Sequence, residues 1–572
     1  MTDQTRNLII LAVVGIAILI GWQYLFPSIQ PPPPEPTEAA SEAAPATQPV
    51  QPEFVPMSRE EALGKSERVV IDASRVFGSI SLTGARIDDV ELRDFKKENK
   101  PESPHISLLI PSGTEESYFS EFGWTVPEST DVALPGAATV WQASSGTLTI
   151  DSPVTLRWDN GQGLRFTRTI SIDDNFMFTI ERKVENYGSE MLELWPYGLI
   201  ARYGTGVMGT IPYATYLVHE GALGVFNGIL EEEDYDDMRE SGNIEFESTG
   251  GWAGITDKYW LVALVPDQAN HLKAHFMHSV RGGADKYQVV MIEDALQLAP
   301  GGSLEVTNRL FAGAKEYNLL EDYEDTYGIP SFDSAVKFFL LWFISKPLFY
   351  ALDFFNRGIG NFGVAILLLT ICVRLLLFPL ANKSYKAMSK MKKLQPKITK
   401  MRERYKDDKP RINKEMMALY KKEKVNPMAG CLPVLLQIPI FFALYNVLFV
   451  STEMRHAPFF GWITDLSAPD PYSVFTVFGL FDYALPSWLI IGPWPLLMGI
   501  SMWLQFKLNP TPPEPIQAKI MMFLPIVFTF ILAPFPAGLV IYWTWNNILS
   551  ITQQWFIMHR MGVKVSFGGK KI

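Results

Sequence analysis

One arginine, Arg374, lies inside a run of twenty residues, 361–380, whose other side chains are almost all apolar. At about 1.5 Å of rise per residue, such a run crosses the hydrocarbon core of a bilayer as a helix. A guanidinium does not escape its charge by deprotonation, and a charge at membrane depth costs about 2.5 kcal/mol or more. The chemistry open to Arg374 is electrostatic: attraction of acidic or polar groups where water and lipid meet protein. The competing reading is a snorkelling side chain, since Leu380 lies about 9 Å away by helical rise. Other candidates are weaker. His271, His275 and His278 recur on one predicted strand, but His278 points to the opposite face from the other two, a poor geometry for three zinc ligands. The acidic run from Glu231 to Asp237 lacks the glycine-punctuated spacing of a calcium loop and reads as a solvated loop. No phosphate-binding loop is present, and neither metal nor cofactor is expected.

The elements that must position Arg374 follow from where charge and apolarity fall. The chain has 572 residues and a net charge of −11, but its charges are segregated. Residues 28–330 hold 48 acidic and 22 basic residues, whereas 383–424 hold 16 basic and 5 acidic ones. Such a division suits a protein facing two compartments. Cys372 and Cys431 are the only cysteines, so no disulfide framework supports the acidic portion. Apolar runs at 8–26, 361–380, 432–450, 488–506, 520–534 and 537–556 read as six transmembrane helices. The basic 383–424 segment sets the orientation by the positive-inside rule: it is cytoplasmic, as are both termini, and the acidic portion is extracytoplasmic.

The chain accordingly divides into an anchor (1–26), a Pro/Ala/Glu-rich disordered linker (27–55) and a β domain (56–330). An amphipathic segment (331–360), a helical core (361–560) and a basic tail (561–572) follow. The β domain shows short alternating runs with turn signals between them, such as Asn160-Gly161, and reads as a large all-β sandwich. Segment 331–360 is too interrupted by charge to span, and reads as a helix in the outer interface; the alternative is a linker helix packed on the soluble domain. Within the core, 383–426 reads as a hairpin of two amphipathic helices. Met388, Met391, Met401 and Met416 fall on its apolar stripes, either as an adaptable surface for apolar partners or simply packed between the two helices. Its basic surface suits anionic lipids or ribosomal RNA; nothing reads DNA.

The ordered motifs of the core resemble the YidC membrane-protein insertases. They are Arg374 in its apolar run, Leu394-Gln-Pro-Lys-Ile398, Glu415-Met-Met-Ala-Leu-Tyr420, Asn426-Pro-Met-Ala-Gly-Cys-Leu-Pro433, Gln437-Ile-Pro-Ile440, Asp465-Leu-Ser467 and Phe535-Pro-Ala-Gly-Leu539. The anchor and outer domain resemble the Gram-negative members. The resemblance implies a non-enzymatic insertase and chaperone of the inner membrane. Its five core helices would enclose a hydrophilic groove that moves nascent membrane proteins into lipid, alone or with the Sec translocon. Within that groove it implies Arg374, with Thr370 on the same helical face, Gln437 on the next span, and Trp543 and Asn547 four apart on the last. The family often has tyrosine where Trp543 aligns, and Tyr542 is adjacent, so either aromatic could line the groove. A solute or ion transporter is the rival reading, although no internal repeat supports it. A third makes the outer domain a carbohydrate-binding or chaperone module.

Overall fold

The structure is a computed structural model that describes residues 56–572, apart from 128, 206–217, 339–340, 406–407, 426–431, 479, 482–489, 510–514, 563–565, 568–569 and 572. The expected anchor and linker, Cys431 and the start of the expected fourth span lie outside the described residues. The chain divides into two compact units, with the boundary between Lys337 and Phe338.

The first unit is built of two large sheets, with eleven and nine strands among the described residues. Its strands alternate as the sequence does. Leu164–Ile172 buries Leu164, Phe166, Arg168, Ile170 and Ile172 while the residues between them face outward. It pairs in antiparallel register with Met177–Asn186, which pairs in turn with Ser303–Ala314. Two buried arginines tie the sheets together. Arg182 Nη1 donates to Tyr197 O at 2.9 Å, and Arg168 Nη1 donates to Ala85 O at 2.7 Å. At the tip before Leu164, Asn160 Oδ1 accepts from Gln162 N and Leu164 N at 2.8 and 2.9 Å, and Gly161 takes φ +72°.

Three short helices interrupt the all-β expectation: α1 (Arg59–Leu63), α2 (Tyr235–Ser241) and α3 (Tyr317–Tyr327). The acidic run is therefore not a loop. Glu231–Asp234 ends the edge strand Ile229–Asp234, and the Asp234 carboxylate caps α2 by accepting from Asp236 N and Asp237 N, both at 2.9 Å. These are first-turn donors that a helix leaves unsatisfied, which is why acid gathers there. His271 pairs with Asp294 at 3.0 Å and His278 with Asp285 at 2.8 Å, each on its own side of the strand.

The second unit is helical: α4 (Trp342–Ile359), α5 (Phe362–Arg404), α6 (Lys409–Lys422), α7 (Leu432–Val450), α8 (Pro493–Leu508), α9 (Pro515–Leu532) and α10 (Ala537–Arg560). The expected interfacial segment 331–360 thus divides: Phe332–Ala335 forms a 3-10 turn of the first unit, and only α4 joins the second. Helix α4 buries Ser345, Leu348, Phe349 and Leu352 and exposes Trp342, Phe343 and Phe354. Helix α5 runs 43 residues without a break through Pro379 and Pro396, so the span and the first hairpin helix are one element. Each proline removes only one helical hydrogen bond, and there is no glycine near 380 to end the helix. Among the described residues α5 is the one helix both long and apolar enough to cross a membrane; Gln437–Val450 and Ala518–Leu532 are shorter apolar stretches. Exposed Leu375, Leu376, Phe523, Ile526, Ile531 and Phe556 make the outer surface of the unit apolar. A face of this kind is stable against lipid and costly against water.

Candidate functional site

The site lies where α5, α7, α8 and α10 meet. A loop fixes the start of α10. Asp465 accepts from Ser467 N at 2.8 Å and from Ser467 Oγ at 2.7 Å, turning the chain so that its carbonyls face the helix. Ala468 O then accepts from Ala537 N at 2.7 Å and Leu466 O from Gly538 N at 2.9 Å. These are N-terminal donors with no partner inside the helix. The Asp465-Leu-Ser467 and Pro-Ala-Gly motifs are thus two halves of one cap. Asp470 does the same for α8, accepting from Trp494 N at 3.0 Å, from Trp462 Nε1 at 3.1 Å and from Tyr472 N at 3.3 Å. Its burial raises the carboxyl above its usual range, and those three donors oppose the rise. A side chain at Gly492 would strike Asp470, with a Cβ only 2.3 Å from its Cγ.

With α10 so placed, Arg374 reaches across from α5. Its Nε donates to Asn546 Oδ1 at 2.8 Å and its Nη2 to Asn546 O at 3.0 Å; Nη2 also donates to Ser550 Oγ. Asn546 and Ser550 are buried, and Ser550 Oγ donates back to Asn546 O at 2.7 Å. Interhelical hydrogen bonds in membranes are worth about 0.6 kcal/mol on average and up to about 1.7. Three of them supply about 2–5 kcal/mol, the same scale as the cost of an arginine at membrane depth. The charge is therefore tolerated because α10 receives it. Trp545 Nε1 donates to Leu367 O at 3.2 Å, tying the same two helices together two turns before Arg374 on α5.

The four residues expected around the arginine take different places. Thr370 is buried and donates to Ile366 O at 2.6 Å within its own helix. Gln437 on α7 donates through Nε2 to the hydroxyl of Tyr542. Trp543 packs edge-on against Phe441 at 4.6 Å and beside Phe528 at 5.9 Å. Asn547 donates to Ser501 Oγ on α8 at 2.9 Å. None of the four hydrogen-bonds Arg374; its partners are Asn546 and Ser550, which the sequence reading passed over. A signal for them existed. Tyr542, Asn546 and Ser550 are spaced by four, the same rule that selected Trp543 and Asn547. Of the two candidate aromatics, Tyr542 shares the arginine-bonded stripe of α10, and Trp543 is turned toward α7 and α9.

The hairpin methionines differ in exposure: Met388 and Met416 are packed away. Met388 lies in a cluster with Ala381, Tyr385 and Ile557, and Met416 in another with Leu394, Ile398, Tyr420 and Val425. Met391 and Met401 pack on these clusters while keeping part of their surface, and Met417 is exposed. Lysines lock the hairpin base to the core. Lys392 Nζ donates to Leu508 O at 3.1 Å and Lys393 Nζ to Met561 O at 2.6 Å. Both acceptors end helices, where carbonyls lack partners and a cation meets the negative end of the dipole.

Comparison with known proteins agrees with this layout. Residues 68–351 match the family described as the YidC periplasmic domain, and 354–564 the family described as 60Kd inner membrane protein. A membrane protein insertase YidC of Methylorubrum extorquens is 46% identical over 601 residues, covering 99% of this chain and 97% of its own. That of Rickettsia bellii is 44% identical over 560 residues, covering 97% and 99%. A solved structure described as an active YidC insertase with the first transmembrane domain resolved covers 95% of this chain and 98% of its own. It is 17% identical with a TM-score of 0.38, too slight a likeness to add to the sequence matches. At such identity over nearly the full length of both chains, this chain belongs to the YidC family of membrane protein insertases.

Proposed function

We propose that the polar seam between α5, α7 and α10 is the floor of an insertion groove, in which Arg374 draws acidic or polar parts of a nascent membrane protein while the apolar parts move sideways into lipid. The observation that carries this reading is a hydrogen-bonded cation held among helices whose outer faces are apolar. Polar side chains at membrane depth are tolerated where they face protein or water. Gln437 and Tyr542 extend the seam toward α7, and Asn547 with Ser501 extends it toward α8. Thr370 and Trp543 flank it as packing surfaces.

In this reading the anchor and five core helices make six spans. The net-positive hairpin and both termini are cytoplasmic, and the β unit is periplasmic. Clients arrive from the ribosome, alone or through a Sec-type translocon, and anionic lipid headgroups attract the hairpin. Met391, Met401 and the exposed Met417 offer the first apolar contact, and Met388 and Met416 join only if the packed stripes part. The chemistry asked of the protein is electrostatic and needs no covalent step.

The test is depletion of the native protein with rescue by an Arg374 series. Arg374→Ala is expected to impair insertion of small, short-tailed clients, with the fold retained, and Arg374→Lys to keep part of the activity. Full insertion by the alanine variant in reconstituted vesicles overturns the groove. Ion or solute flux through vesicles containing no nascent protein would favour a transporter instead.

A further inference from the structure

Arg374 spends its donors unevenly. Nε gives its single hydrogen to Asn546 Oδ1, and Nη2 gives its two to Asn546 O and Ser550 Oγ. A guanidinium has five N–H donors, so the two on Nη1 remain. A carboxylate binds arginine most strongly as a fork, through parallel bonds from two different nitrogens. Both forks on an arginine, Nε with Nη2 and Nη1 with Nη2, use Nη2. With Nη2 fully engaged, neither edge can form one. What a client's carboxylate meets is one nitrogen.

We propose that Asn546, supported by Ser550, is a positioning residue that denies Arg374 a forked ion pair with its client, so that acidic groups are attracted but released. The inference rests on the groove reading above. An insertase must let go of what it attracts, and an ion pair in a low-dielectric site gains strength as water leaves. Asn546 is neutral, so it occupies the fork without cancelling the charge that attracts the client. An aspartate in its place would cancel it. Alanine at 546 alone frees only Nε, because the Asn546 carbonyl belongs to the backbone; alanine at both 546 and 550 also frees a hydrogen of Nη2 and opens an edge. Ser550 holds the arrangement rigid, because its hydroxyl takes a bond from Nη2 and passes its own hydrogen to Asn546 O.

The experiment uses the full-length protein in vesicles and two single-span clients that differ only in one translocated residue, aspartate or asparagine. Residence in the groove is read by site-specific crosslinking during a chase. The double variant Asn546→Ala/Ser550→Ala is expected to lengthen residence of the aspartate client by about tenfold, the factor one charge-assisted hydrogen bond carries, and that of the asparagine client by less than about twofold. Asn546→Asp, which keeps the side-chain shape if the alanine variant folds poorly, is expected to reduce capture of the aspartate client. In an Arg374→Ala background the effect of the double variant is expected to vanish, as a general packing defect would not. Equal effects on both clients, or an effect that persists without Arg374, overturn the proposal. If Arg374→Ala impairs insertion while the double variant Asn546→Ala/Ser550→Ala leaves residence unchanged, only this inference falls. If Arg374→Ala is silent on both clients, the groove reading falls with it.

Discussion

Replacing Gln437 by leucine separates what the polar seam does for stability from what it does for insertion. Gln437 Nε2 donates to the Tyr542 hydroxyl, and Tyr542 is 2% exposed. The substitution leaves that hydroxyl without its amide partner inside an apolar bundle. An orphaned buried polar group costs about 1–3 kcal/mol, while the bond itself is worth about 0.6 kcal/mol and at most about 1.7 in membranes. Together these place Gln437→Leu at about 1–2 kcal/mol, or a drop of about 2–8 °C in Tm for a unit of this size. Tyr542→Phe should cost less, because the half-buried Gln437 amide still reaches water. The double variant removes both polar groups, which is nearly neutral when shape is kept, so its stability is expected to return to within about 0.5 kcal/mol of the parent. Unfolding of all four proteins in one detergent, paired with client insertion in vesicles, gives the answer. On the groove reading the double variant is stable and inserts poorly. Recovery of insertion along with stability would refute the claim that polarity on this part of α10 matters to clients, and a neutral Gln437→Leu would refute the hydrogen bond.

Two further outcomes follow from close packing and from burial of charge. A Cβ on Gly499 would lie 2.0 Å from Thr529 Oγ1 across the α8–α9 contact, so Gly499→Ala is expected to cost about 1–3 kcal/mol by overpacking. Adding Thr529→Ala should relieve most of it, as a double-mutant cycle in thermal unfolding would register. In the β unit, burial pulls the Lys315 ammonium down to about 8, although Asp257, Glu220 and Glu232 pull the other way. Between that value and the unfolded value near 10.5 the unfolded chain binds more protons, so stability rises with pH across this window and the full penalty is present below it. Lys315→Met is therefore expected to stabilise strand Ser303–Ala314 at pH 7, by up to about 3 kcal/mol, with the gain fading by pH 10. Hydrogen exchange of that strand against pH measures it, and a gain that grows with pH would reverse the sign of the argument.

Much of the architecture was legible because its signals are local. The alternating runs on either side of Asn160-Gly161 are the strands Val154–Asp159 and Leu164–Ile172, since side chains in a strand change face at every residue. The apolar runs at 361–380, 432–450, 520–534 and 537–556 fall largely on helices, and within the run at 488–506 the helix begins at Pro493; the run at 8–26 lies outside the described residues. Less legible was where helices end. Nothing local announced that α5 would pass unbroken from its apolar run into the basic hairpin, or that Asp234 would make a helix start of an acidic run.

Amino-acid sequence alone determined that an arginine sits in a membrane-length apolar run, that acid and base are segregated along the chain, and which family the motifs resemble. It could not determine which side of α10 the arginine meets. The stripes Tyr542–Asn546–Ser550 and Trp543–Asn547 obey the same four-residue rule and differ by one position, about 100° of helical rotation. Along 541–547, where α10 is buried or half-buried at every position, periodicity does not choose between them. Packing chose: Phe441 and Phe528 take Trp543, Ser501 takes Asn547, and the remaining stripe turns to Arg374. The methionines of the hairpin were undecided for a like reason, because a stripe that suits a client equally suits a partner helix, and only the fold brings Met388 to Ile557 and Met416 to Leu394.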